Sequence, residues 1–98
     1  MSTARPIVKV ALHNLPDAPK LLEPIRKAVG SVFVDFPEAM TCRMEIERAN
    51  GKFEAHLEVL LPQKQIILNR AGESATAALD GAMAEVRSLS VRKFAQAA

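Results

Sequence analysis

The sequence has 98 residues, room for one compact domain and not for two, and its 49% hydrophobic and 24% charged residues place it among soluble globular proteins. Four Phe with no Trp or Tyr leave a small, mostly aliphatic core, and a formal net charge of +2 permits nucleic-acid binding without arguing for it. Cys42 is the sole cysteine, which excludes an internal disulfide and suits a reducing cytoplasm; "MSTARP" lacks the apolar segment of a signal peptide, and no apolar run is long enough to cross a membrane.

"PIVKVALH" alternates, with Val8, Val10 and Leu12 on one face and Lys9, Ala11 and His13 on the other, so Ile7–His13 reads as the first strand. "NLPDAPK" turns the chain. Pro19 suits a helix start, and Leu21, Ile25, Ala28, Val29 and Val32 recur at helical spacing, with Lys20 and Lys27 opposite. The expectation is an amphipathic helix over about Pro19–Phe33 whose regular part begins at Pro24, because that proline distorts the turns before it. "DFPEAM" reads as a break.

"TCRMEIER" alternates again, Cys42, Met44 and Ile46 against Thr41, Arg43, Glu45 and Glu47. Asn50-Gly51 signals a tight hairpin, since both residues tolerate positive φ. "KFEAHLEVLL" returns with Phe53, Ala55, Leu57, Val59 and Leu61 on one face. "PQK" turns, "QIILNR" makes a short strand, and Gly72 leads into one long helix over Glu73–Phe94. The order is βαβββα: an α+β fold with a four-stranded sheet, strands two to four an antiparallel meander, and two helices on one face. The other face is left open to water or to a partner. The whole of 1–98 is read as a single domain, with 1–5 a flexible N-terminus.

A two-residue turn at Asn50-Gly51 fixes the register by counting. Ile46, Met44 and Cys42 then face Ala55, Leu57 and Val59 inside the protein. Outside, Glu47 opposes Glu54, Glu45 opposes His56 and Arg43 opposes Glu58. The open face is therefore acidic and without aromatics, unlike an open sheet that stacks single-stranded RNA. Glu45, His56 and Glu58 read as a solvated face, since none of the usual metal-ligand spacings appears. Cys42 points inward, away from both histidines, and is expected to be an inert core residue. With no phosphate loop, no GxSxG and no HExxH, the reading is a protein without catalysis, metal or cofactor.

In the last helix Ala75, Leu79, Ala82, Met83, Val86 and Phe94 cluster on one side, a core-packing face made close by its small residues. Arg87, Arg92 and Lys93 gather toward its end, where the helix dipole favours cations. From spacing alone these cations read as a dipole cap that also aids solubility.

The segment "FEAHLEVLLPQKQIILNRAGESATAALDGAMAEVRSLSVRKF" resembles the second half of the ribosome hibernation-promoting factors, the family that includes ribosome-associated inhibitor A and is also labelled sigma-54 modulation proteins. A strand ending in an apolar run and Pro62, a short strand leading into Gly72, and "AALDGAM" followed by a basic end carry the likeness. "HNLPDAPKLLEPIRKAV" is similar to the family's strand exit and Pro-started first helix. Thr76, where the family usually has Tyr, and Ser88-Leu89, where Arg-Gln is common, depart from its pattern, and the sequence resembles the short form without a dimerising C-terminal domain. The resemblance implies a cytoplasmic, non-catalytic translation regulator of the stress response that binds the small ribosomal subunit and its rRNA. It implies RNA contacts at Lys20, Lys27, Arg70, Arg87, Arg92 and Lys93. The alternative is a divergent protein-interaction module on the same fold, with a homodimer through the open sheet among its forms.

Overall fold

The computed structural model describes the backbone of residues 6–97 and the side chains of residues 6–89. Strand β1 (Ile7–His13) is followed by helix α1 (Ala18–Gly30) and a one-turn helix α2 (Val32–Asp35). Strands β2 (Thr41–Ala49), β3 (Lys52–Leu60) and β4 (Gln65–Gly72) then lead to helix α3 (Ala75–Ala97). The sheet order is β1-β2-β3-β4, with β1 parallel to β2 and the other neighbours antiparallel. Parallel neighbours require a crossover, and α1 with α2 supplies it. Both long helices lie on one face, α1 against β1 and β2, α3 against β4, β3 and β2. The expected α+β architecture is present, with the extra turn of α2 added. No helix among the described residues is long and apolar enough to cross a membrane.

Helix α1 differs from its expected span. It starts at Ala18, stops at Gly30, and runs straight through Pro24. A proline there removes the amide that would bond the Lys20 carbonyl, but both residues lie on the exposed side, where water can serve that carbonyl. Ile25 and Val29 hold the opposite side in the core. The helix ends where Ser31 turns on Ala28: the Ser31 amide and hydroxyl both donate to the Ala28 carbonyl, at 3.1 and 2.6 Å. The segment read as a break is not merely a connector. Turn α2 swings Phe36 inward until it is 1% exposed, and Ala39 is buried beside it.

The hairpin register is the counted one, from Ala49↔Lys52 to Cys42↔Val59. Asn50 and Gly51 take φ of 55° and 76°, the left-handed pair that a tight two-residue turn requires. The inward rows are closed to solvent: Cys42, Met44, Ile46, Ala55, Leu57 and Val59 are all 0% exposed. Val8, Val10 and Leu12 of β1 extend this layer at half burial, and Leu68 and Ile66 extend it on β4.

Strand β4 continues two residues beyond the expected span, to Gly72, and α3 begins at Ala75 rather than Glu73. Ser74 sets that start: its hydroxyl accepts from the Ala77 amide at 3.0 Å and its carbonyl from the Ala78 amide at 3.0 Å. Gly72 is needed for close approach. A Cβ there would stand 2.6 Å from the Ala78 nitrogen, so any side chain would push the first turn of α3 off the sheet. Ala75, Ala78, Leu79, Ala82, Met83 and Val86 form the buried stripe of α3. Phe94, expected on that stripe, lies outside the described side chains.

Candidate nucleic-acid interface

The basic residues expected to contact RNA lie across the helical layer rather than in one pocket. Lys20 and Lys27 are exposed on the same side of α1. Seven residues separate them, which is two turns or about 10 Å. Neither has an ion pair among the described residues, whereas Arg26 between them reaches Glu23 at 4.0 Å.

Arg87 is exposed on α3, its Nε 4.0 Å from Asp35 Oδ2, so it links α3 to α2. It also helps line a shallow groove with Ala28, Ser31, Asp80, Met83 and Ala84, which brings it beside the C-terminal half of α1. Arg70 stands on the other flank of α3, where its Nε meets Glu85 Oε1 at 2.7 Å and ties β4 to the helix. Arg92 and Lys93 lie outside the described side chains. The structure therefore brings Arg87 toward the end of α1 that carries Lys27, and sets Arg70 apart.

Two of the four described cations are thus partnered by carboxylates. Half-exposed pairs of this kind contribute about 0–1 kcal/mol, because water and salt screen them and the side chains lose freedom in holding them. A phosphate can replace such a carboxylate at little cost, so pairing does not disqualify Arg70 or Arg87.

A further cation escaped the reading of the sequence. Arg48, at the end of β2, carries its guanidinium 6.0 Å from the centre of the Phe53 ring across the hairpin. It lines a cleft of about 310 Å³ with Leu15, Asp17, Leu21, Ser74 and Thr76, between the starts of α1 and α3. The signal was present. Residue 48 has the parity of Cys42, Met44 and Ile46, so it belongs to the helix side of the sheet although its neighbour Glu47 does not.

The open face has the opposite character. By register its rows are Lys9–Arg43–Glu58–Ile67, Ala11–Glu45–His56–Asn69 and His13–Glu47–Glu54–Ala71. Lys52, paired with Ala49 at the hairpin end, lies on the same face, so four carboxylates face three cations. Glu45 engages His13 Nε2 and Arg43, each at 3.3 Å, Gln65 donates to Glu58 at 2.9 Å, and His56 hydrogen-bonds Asn69. Glu47 and Glu54 oppose each other with no ion pair among the described residues. No three His, Cys, Asp or Glu side chains among those residues are grouped to hold a metal ion. Cys42 lies on the far side of the sheet, where burial pushes its thiol up to about 12, so it is protonated at neutral pH and no nucleophile.

No protein-family model matches this sequence, and no curated protein does. Solved structures do. A ribosomal subunit interface protein from Coxiella burnetii superposes with a TM-score of 0.77 at 15% identity, covering 91% of this chain and 98% of the other. The N-terminal domain of Protein Y from Thermus thermophilus superposes with a TM-score of 0.69 at 15% identity, covering 93% and 98%. The chain has their fold. The match extends from end to end of both neighbours, so it includes the order of strands and the placement of both long helices. At such low identity it says nothing of individual side chains, which must be argued from their own chemistry.

Proposed function

We propose that this protein is a non-catalytic, ribosome-associated translation regulator that binds the small ribosomal subunit under stress or in stationary phase, in the cytoplasm. The observation that carries the reading is the fold it shares, over 91% of its length, with a ribosomal subunit interface protein. The charge layout supports it and orients it. The open face carries more carboxylates than cations and no Phe, Tyr or Trp, which disfavours phosphate and base stacking, so rRNA would meet the helical layer. The contacts would come from Lys20, Lys27, Arg70, Arg87, Arg92 and Lys93. Cations spread over the helical layer suit phosphates and groove shape better than base sequence.

The alternative, a protein-interaction module on the same fold, is favoured by one observation: Ile7, Leu60 and Ile67 are exposed on the open face. Co-sedimentation of the purified protein with small ribosomal subunits separates the two. Binding is expected, weakening with salt by roughly one unit of log–log slope for each phosphate contacted. Combined Lys20→Ala, Lys27→Ala and Arg87→Ala changes should weaken it and flatten that slope. Failure of the unaltered protein to co-sediment at low salt would overturn the reading in favour of the interaction module.

A further inference from the structure

We propose that the open face of the sheet is a docking surface for a basic polypeptide segment that carries an apolar residue at one end. The proposal does not rest on ribosome binding, since it concerns the face turned away from the helical layer.

The face is polarised along its strands. At the end where β1 begins, Ile7 and Leu60 are exposed in one row and Ile67 in the next. Met40 is exposed at the same edge, its amide bonded to the Leu60 carbonyl and its carbonyl to the Ile7 amide. At the other end Glu45, Glu47 and Glu54 gather. Internal partners are used up from the apolar end inward: Arg43 serves Glu45, and Gln65 serves Glu58. Glu47 and Glu54 are left directly opposed, and Lys52, on the same face one pair along, makes no ion pair with either among the described residues. Two carboxylates in that position repel, and the repulsion ends when a cation settles between them.

The chemistry selects the occupant. RNA phosphates are disfavoured at the end where Glu45, Glu47 and Glu54 gather, and the face has no Phe, Tyr or Trp side chain on which bases could stack. A second copy would set these carboxylates against an identical set or against the apolar end, and neither neutralises them. A simple polyamine would satisfy the acidic end and leave the apolar end wet. A polypeptide with Lys or Arg at one end and an apolar side chain at the other satisfies both. The rows from Ile7 to His13 are six residues apart, roughly 20 Å at about 3.3 Å per residue, which an extended segment of some six residues spans.

The test is a titration of the isotope-labelled full chain, followed by amide NMR shifts. The probe is a synthetic peptide of about ten residues with two leucines at one end and lysines and arginines at the other. Saturable shifts confined to the open face of β1–β4 are expected. A Glu47→Gln/Glu54→Gln variant should weaken binding about tenfold. The variant removes a repulsion rather than a core contact, so its folding is not at risk. Replacing the leucines by glycine should also weaken binding and shrink the shifts near Ile7 and Leu60. Equal affinity of the Gln variant, absence of open-face shifts, or the same saturating shifts with spermidine or an oligouridine would overturn the proposal.

Discussion

The two faces of the sheet are built from alternate residues of the same strands and are unlike in every respect. On the helix side, Met44 faces Leu57 and Cys42 faces Val59, with no solvent between them. On the open side, one residue along, Glu47 faces Glu54 and Glu45 faces His56. A slip of a single residue would exchange the two sets, so burial of the first dictates the position of the second. Burial does not dictate its chemistry. A solvated sheet face can carry any mixture of charges, and opposing like charges weaken the pairing. The core face records what folding requires; folding leaves the charges of the open face and of the helical layer unspecified.

Substitutions on the two faces should separate these roles. Leu57→Ala removes a fully buried side chain between two rows of packed neighbours and should destabilise by about 2–5 kcal/mol in denaturant unfolding. Cys42 adds a pH signature, absent at neutral pH. Burial raises its thiol from the ordinary 9.0 to about 12, so the folded state holds its proton more tightly than the unfolded chain does. The resulting stability is fully present below pH 9 and is lost as pH rises toward 12, by up to about 1.4 kcal/mol per pH unit. Cys42→Ala should flatten that alkaline decline by comparison with the parent protein, and an identical slope in both would refute the assignment. On the open face the effect is smallest and reversed in sign. Glu54→Gln relieves the opposition to Glu47 and should stabilise by a few tenths of a kcal/mol.

The strands and their register were legible in the sequence because period-two alternation and the Asn50-Gly51 turn leave one solution. The course of α1 was less so. A proline inside a helix argues for a break, and only the exposure of Lys20 and Pro24 shows why the helix continues. Phe36 was hidden for a related reason: "DFPEAM" has turn composition, yet a single helical turn before it aims the ring into the core. At the site, residue type identified the cations, but pairing depends on tertiary contact. Nothing local joins Arg70 to Glu85 or Arg87 to Asp35, and the Arg48–Phe53 contact needs both strand parity and the hairpin.

The central claim is that rRNA meets the helical layer and avoids the open face. It is tested most directly by photo-crosslinking, with a benzophenone-bearing residue in place of Glu23 on α1 or of Glu54 on β3. Both positions are exposed, and neither is one of the proposed RNA contacts. With purified small subunits the account predicts crosslinks to rRNA from position 23 and none from position 54. Crosslinks to rRNA from position 54 with none from position 23 would contradict it.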